Sequence, residues 1–226
     1  MKKLKLGMIG GGGGSFIGAI HRNAAYLDNC YELVCGSFSS DFENSLETGK
    51  KLFLNSNRIY KSYEDMIDLE SKLDPSDRMD VVSIVTPNHV HFDPAFKALK
   101  RGFPVIIDKP MTYDSNEASE LVKLVNETSL PFAVTHTYTG YPMVKEAKHL
   151  IQLGKIGKLR KVAVEYPQGW LTSNLESTNN KQASWRTDPK KSGKAGSMGD
   201  IGTHAANMIE YVTGKKIIKL FSKVNT

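Results

Sequence analysis

Residues 4–21, LKLGMIGGGGGSFIGAIH, decide how the rest of the chain is read. An apolar run at 6–9 leads straight into glycine at every position from 10 to 14. Ser15 and Phe16 follow, and Ile17-Gly18-Ala19-Ile20 then opens a helical apolar pattern. This is the order of a buried strand, a turn without side chains and a helix start. Glycines there permit positive-φ turns and close approach of a ligand to the backbone. The N-terminus of the following helix offers unpaired N–H groups and a partial positive charge to an anion. The pyrophosphate of a dinucleotide fits that description. A flexible glycine linker is the alternative, but a linker is seldom clamped between a strand and a helix.

Working outward, the pattern alternates. The first helix should run to about residue 28 with Ile17, Ile20, Ala24 and Leu27 on one face. Residues 31–38 read as a strand, Ser39-Ser40-Asp41 as an N-cap cluster, and Phe42, Leu46 and Leu52 as the apolar positions of the next helix. A short strand is expected near 58–60 and an amphipathic helix over 64–73, stopped by Asp74-Pro75. The β-branched run MDVVSIV at 79–85 suits a parallel strand buried on both faces. Helix 91–101, strand 104–107, helix 115–128 and strand 131–135 complete the series. Such alternation predicts an α/β fold, a doubly wound parallel sheet over residues 1–135.

The remainder, residues 136–226, reads differently. A helix over 142–153 precedes KLRKVAVEY at 158–166, whose alternation suits an antiparallel strand. A polar loop over 168–199 is too long to be idle. A helix over 201–213 and a strand over 217–224 follow. The expectation is an incomplete α+β domain with an open mixed or antiparallel sheet, too small to bury a proper core.

Composition excludes several classes. The 226 residues are 40% hydrophobic and 24% charged, ordinary for a soluble globular protein. The net charge of +6 is carried by scattered lysines with no basic block interleaved with aromatics, so it reads as solvated surface and not as a nucleic-acid footprint. Cys30 and Cys35 read as reduced thiols, not as a disulfide or metal pair. The apolar run behind Met1-Lys2-Lys3 breaks at the glycines, too early for a signal peptide, and no stretch is long enough to span a bilayer. The expected location is cytoplasmic, with no membrane partner.

In an α/β sheet, ligands bind at the carboxyl ends of the strands. Thr86-Pro87-Asn88-His89-Val90-His91 follows one such end; its histidines lack a neighbouring thiol or carboxylate cluster, so no metal is assigned. Asp108-Lys109-Pro110 follows another, where a surface salt bridge is an equal reading of these residues alone. Asp200 and His204 lie at i and i+4, on one face if helical. Taken singly, Asp200 reads rather as an N-cap beside an exposed His204. Trp185-Arg186 suits a polar ligand and equally an ordinary surface pair.

Taken together and in this order, the glycine-rich turn, the 86–91 segment, Asp108-Lys109-Pro110 and Asp200-x-x-x-His204 resemble the Gfo/Idh/MocA oxidoreductases over residues 4 to about 224. Residues 135–144 and the Trp185-Arg186 loop resemble its sugar- or cyclitol-dehydrogenase-like branch. The resemblance implies a Rossmann domain and an open-faced α/β domain, NAD or NADP as cofactor, and hydride transfer between nicotinamide and a secondary alcohol or ketone of a sugar or cyclitol. It implies Lys109, Asp200 and His204 as catalytic residues: His204 as base for the hydroxyl proton, Asp200 to orient it or bind a hydroxyl, and Lys109 as cation for the developing alkoxide. Substrate contacts would add Tyr138, Trp185 and Arg186. Cofactor contacts would come from Gly10, Gly12, Gly13, Gly14, Phe16, Ile17, Gly18, Ser39, Ser40, Asp41, Thr86, Pro87, Asn88, His91, Asp108 and Lys109, with His89 also at the nicotinamide end. Members commonly associate through the second domain's sheet, so a homo-oligomer is expected.

The chain departs from the family pattern at three points. The glycine turn carries extra residues before Gly18. Phe38 stands where an acidic residue would meet the adenosine ribose; Ser39 and Ser40 would tolerate a 2′-phosphate, whereas an inward Asp41 would favour NAD. Members also generally continue past residue 226, which makes a truncated form, a fragment or half of a split protein the expectation. A dinucleotide-binding protein without turnover is therefore the alternative function, and a DNA-binding regulator fits poorly.

Overall fold

The apolar run ahead of the glycines forms β1 (Leu4–Gly10), flanked by β2 (Tyr31–Ser37) and β3 (Val81–Val85). In the computed structural model, which describes residues 2–178, 180–193 and 196–223, β4 (Val105–Ile107) and β5 (Phe132–Val134) extend the sheet in the order β2-β1-β3-β4-β5. All pairs are parallel. The strand expected near 58–60 is reduced to a single parallel bridge, Ile59 to Gly36, after a 3₁₀ turn at Ser56–Arg58. Counting that bridge as an edge strand, the sheet grows outward in both directions from β1 and β3. Their carboxyl ends, Gly10 and Val85, are in register at the switch point.

Helices α1 (Ile17–Leu27) and α2 (Phe42–Lys51) cover one face; α3 (Tyr63–Glu70), α4 (Phe92–Lys100) and α5 (Ser115–Thr128) cover the other. Alternate residues of β3 serve opposite layers: Val81 and Val85 pack toward α1 and α2, Val82 and Ile84 toward α3, α4 and α5. That is why its sequence is apolar throughout. Asp41, Ser62 and Asp114 cap α2, α3 and α5 by accepting backbone N–H groups, whereas α1 has no side-chain cap. The buried face of α1 is not the expected one. Ile20 and Leu27 are 45% and 84% exposed, and Gly18 turns inward with His21 and Ala25 half-buried beside it. The helix must present Gly18 to the glycine turn, and that contact overrides the apolar stripe.

One polar network fixes the edge of this sheet. Glu70, fully buried, receives Arg58 Nε and Nη2 at 2.6 and 2.7 Å, the Tyr60 hydroxyl at 2.7 Å and the Met79 N–H at 2.8 Å. Four donors satisfy a carboxylate that would otherwise be costly to bury. A second buried group, His91, staples two strand-end loops: its ring nitrogens face the Pro110 carbonyl at 2.7 Å and the Thr86 carbonyl at 2.8 Å. Burial holds its imidazole below the usual 6.5 although both carbonyls and Asp108 oppose that shift. His21 bonds Ser83 Oγ at 3.0 Å from α1 to the centre of β3, and burial lowers its pKa too, against the attraction of Asp108.

Residues 136–189 and 194–226 form a separate unit, while residues 190–193 group with the sheet unit. The second unit holds α6 (Pro142–Gln152), α7 (Lys181–Arg186) and α9 (Thr203–Thr213); the short α8 (Pro189–Ser192), between the last two in sequence, falls almost wholly among the residues grouped with the sheet unit. Helix α6 packs on α9, with Lys148 Nζ 4.0 Å from the centroid of Tyr211. The strands expected at 158–166 and 217–224 are not formed: residues 158–166 and 217–223 have no pairing among the described residues, and Val224 lies outside them. A strand exists only through a partner's hydrogen bonds, and alternation alone supplies none. Ile218, Leu220 and Phe221 are accordingly 89%, 82% and 93% exposed. Among the described residues no helix is long and apolar enough to cross a membrane.

Replacing Glu70 by Ala should cost about 3 kcal/mol, since it strands Arg58 and two further donors; equal denaturation midpoints for variant and parent would refute this. The lowered His21 and His91 pKa values mean that the unfolded chain binds more protons than the native one. The contribution of these two histidines to stability is therefore fully present above pH 6.5 and is lost as pH falls from 6.5 toward the folded values. Urea midpoints should drop between pH 7.5 and 5.5, and His91→Gln should flatten that slope.

Candidate functional site

The glycine turn at the switch point is held by close backbone contacts. Gly10 has φ +83°, and a Cβ there would lie 2.9 Å from the Val85 carbonyl oxygen. A Cβ on Gly18 would lie 2.3 Å from Gly11 Cα, so the first turn of α1 rests directly on the loop. The Gly12 N–H is used by the Phe38 carbonyl at 2.9 Å, and the Gly13 N–H by Asn44 Oδ1 at 2.9 Å and Thr48 Oγ1 at 3.0 Å. The expectation is that Gly12, with Gly10 and Gly18, holds the pyrophosphate and that Gly13 touches the cofactor; the N–H groups of Gly12 and Gly13 have internal partners in this fold. Gly14, exposed with φ +79°, then Phe16, 67% exposed, and half-buried Ile17 lead into the uncapped start of α1. That segment keeps the properties of an anion site.

At the end of β2, the Ser39 hydroxyl accepts the Asp41 N–H at 3.1 Å and Ser40 is exposed. Asp41 is an exposed N-cap whose Oδ1 accepts the Glu43 N–H at 3.1 Å. After β3, Thr86 Oγ1 donates to the Val90 carbonyl at 3.2 Å, Pro87 and His89 are exposed, and Asn88 is buried with Nδ2 3.4 Å from the Ser192 carbonyl. His91 is corrected from cofactor contact to internal staple: it is fully buried and both nitrogens are engaged with backbone. No metal-binding cluster of His, Cys, Asp or Glu is present among the described residues.

After β4, the Asp108 N–H donates to the Ile84 carbonyl at 3.0 Å, and its Oδ1 accepts the Thr135 hydroxyl at 2.9 Å. One aspartate thus ties the ends of β3, β4 and β5. Lys109 follows, half-buried, joined to Pro110 by a cis peptide. The sheet unit therefore brings the glycine turn, the 86–91 loop and Lys109 to the carboxyl edge of one sheet.

The second unit assembles its own cluster. Asp200 lies in a π-helical turn, Met198–Gly202, that runs directly into α9, and His204 sits in the first turn of α9 with 8% exposure. Asp200 Oδ2 accepts Arg186 Nε at 3.2 Å. Arg186 also donates to Gln182 Oε1 at 2.6 Å and lies over the rings of Trp185 and Trp170 at 4.2 and 5.6 Å from their centroids. The arginine is thereby fixed by a carboxylate, an amide and two aromatic faces. Tyr138 meets His204 edge-on at 4.6 Å between centroids, His136 lies at 5.8 Å and Tyr166 at 6.4 Å. The hydroxyls of Tyr138 and Tyr166 are hydrogen-bonded, and that bond, with burial second, pushes the Tyr138 pKa up to about 12.

Of the second-unit residues expected from the sequence, the fold groups Trp185 and Arg186 with Asp200, and Tyr138 with His204. Sequence reasoning missed His136, Tyr166, Trp170 and Gln182. Gln182 and Arg186 are an i, i+4 pair that a helix within the polar loop would have revealed; Tyr166 lay in a segment read as an ordinary strand.

Comparison with known proteins identifies the family. Residues 4–136 match the profile of the oxidoreductase family with the NAD-binding Rossmann fold, GFO/IDH/MocA, and residues 144–226 match the GFO/IDH/MocA C-terminal domain. An uncharacterised oxidoreductase of Bacillus subtilis is 32% identical over 96% of this chain and 55% of its own length. Levoglucosan dehydrogenase of Pseudarthrobacter phenanthrenivorans is 29% identical over 100% of the chain and 54% of its own. The solved structure of an inositol dehydrogenase homologue from Azotobacter vinelandii, complexed with NAD+, superposes with TM-score 0.90 at 31% identity, covering 94% of this chain and 54% of that one. The chain spans about half the length of the curated relatives it matches. The glycine turn at the switch point, the strand-end Lys109 and the two matched profiles together make this chain a member of the GFO/IDH/MocA oxidoreductase family, with an NAD-binding Rossmann fold in its first unit.

Proposed function

We propose that this chain belongs to an NAD-dependent dehydrogenase that oxidises a secondary alcohol of a sugar or cyclitol. The observation that carries the reading lies in the second unit, where a nearly buried His204 stands four residues after an Asp200 already paired with Arg186. The arginine fixes the position of the carboxylate, and the tyrosines around the histidine fix the orientation of its ring.

In the second unit, His204 takes the hydroxyl proton of the alcohol while Asp200 and Arg186 hold neighbouring hydroxyls; in the first unit, Lys109 supplies a cation of the kind that neutralises a developing alkoxide. The nicotinamide, when bound, accepts the hydride from the same carbon. The Gly14–Ile17 segment fits the pyrophosphate because Gly14 carries no side chain and the helix behind it is uncapped, although the Ser15 N–H is already taken by the Gly12 carbonyl. Asp41 does not turn inward but faces solvent as the N-cap of α2; its carboxylate still sets negative charge just past the end of β2, which supports NAD over a 2′-phosphorylated cofactor. Relatives named for levoglucosan and inositol support a cyclic polyol as substrate class. A second reading, nucleotide binding without turnover, is favoured by the exposed Ile218, Leu220 and Phe221 of the second unit.

NADH formation with a panel of cyclic polyols separates the two: cofactor binding with no turnover on any of them would leave only the second reading. If turnover is found, His204→Ala should lower kcat by about 10²–10⁴-fold with folding retained, and an unchanged kcat would remove His204 as base. Asp41→Ala should narrow the ratio of NADP to NAD dissociation constants, and a ratio that does not move would show that Asp41 does not choose the cofactor.

A further inference from the structure

The extra residues of the glycine turn need something to hold them, and α2 supplies it. Gly13 uses both of its backbone polar groups on that helix. Its N–H donates to Asn44 Oδ1 at 2.9 Å and to Thr48 Oγ1 at 3.0 Å, and its carbonyl accepts Asn44 Nδ2 at 3.2 Å. The Thr48 hydroxyl in turn donates to Asn44 Oδ1 at 3.3 Å. This pattern fixes the amide orientation, because only Oδ1 can take an N–H and only Nδ2 can give to a carbonyl. An amide that satisfies both polar groups of one residue acts as a two-point clamp, unlike a hydroxyl, which leaves the loop free to rotate about a single bond.

The same face of α2 holds the adjoining strand end. Ser45, fully buried, accepts the Phe38 N–H at 2.9 Å, and Phe38 in turn accepts the Gly12 N–H at 2.9 Å. The Ser15 N–H closes back on the Gly12 carbonyl at 2.9 Å. Gly12 and Gly13 are thus fully occupied from one side, and Gly14 is where the loop turns outward with φ +79° and nothing within 4 Å of a Cβ position. Had Gly13 been free, the expanded turn would have had many positions for its next residues.

We infer that Asn44, seconded by Thr48, is a positioning residue for dinucleotide binding: it pins Gly13 so that Gly14 and the first turn of α1 are the donors presented to the pyrophosphate. The inference rests on the nucleotide-binding reading and adds to it a residue on α2 that touches the loop and not the ligand. It makes a selective demand. Loss of the clamp must weaken ligands that carry the pyrophosphate and spare the adenosine moiety, whose site is built from the end of β2.

The test is binding of NAD, ADP-ribose and adenosine, by calorimetry for the first two and NMR titration for the third, to the parent chain, Asn44→Ala, Thr48→Val and Thr48→Ser. Two lost hydrogen bonds predict that NAD and ADP-ribose bind about tenfold more weakly to Asn44→Ala. Adenosine affinity should stay within about twofold. Thr48→Val should show a smaller loss of the same kind, and Thr48→Ser, which keeps the hydroxyl, should restore it. Parent-like affinity for ADP-ribose in Asn44→Ala overturns the inference alone. An equal loss for adenosine overturns it too, since that would mark a general collapse of the α2 face. If Asn44→Ala does not fold, the Thr48 pair decides by the same criterion. A parent chain that binds neither NAD nor ADP-ribose removes the nucleotide reading itself, and the inference with it.

Discussion

The near-contact of Gly18 with Gly11 sets the geometry of the sheet unit. With no side chain on either residue, the first turn of α1 sits against the loop that leaves β1. That approach decides which face of α1 is buried and exposes Ile20 and Leu27 in the process. It also brings the uncapped end of the helix beside Gly14, at the one place in the sheet where the strand order reverses. A methyl group at Gly18 would force the helix away by more than packing can absorb, because its neighbour is backbone and not a flexible side chain. The glycines therefore serve packing first, and the space left for a ligand follows from that packing.

Around this wedge the loops at the carboxyl edge are tied to one another by polar groups, His91 buried and Asp108 and Asn44 half-buried. His91 joins the 86–91 loop to Pro110, Asp108 joins β4 to the threonine after β5, and Asn44 joins the glycine turn to α2. Each bond satisfies backbone groups that irregular loops leave without a secondary-structure partner. The effect is to give Lys109 and the glycine turn fixed positions without regular structure. Several polar residues that look like ligand contacts are part of this scaffold, and their cost of burial is offset by the backbone groups they satisfy.

The second unit works by a different rule. Its cluster is built from aromatic rings and one arginine, with the π-helical turn at Met198–Gly202 carrying Asp200 into line with Arg186. A π turn inserts an extra residue into the helical path, so the i, i+4 relation of Asp200 and His204 is not that of a regular helix. Trp185 and Trp170 hold the guanidinium from its faces while Gln182 and Asp200 take its edge.

The sequence alone determined the alternation of strands and helices, since apolar periodicity, caps and β-branched runs are local signals, and β3 and α5 came out nearly to the residue. It also determined the family, through an ordered set of short motifs. Only the tertiary structure decided which of those motif residues are available. Gly12, Gly13 and His91 read as ligand contacts because their types suit the task, yet their polar groups are spent on Phe38, Asn44, Thr48, Thr86 and Pro110, residues up to 35 positions away in sequence. Likewise the alternation at 158–166 described a strand that forms only where a partner completes it, and no local pattern carries that information. Hydrogen-bond partnership is a property of three-dimensional neighbours, so periodicity can place a residue on a face without saying what that face has already been used for.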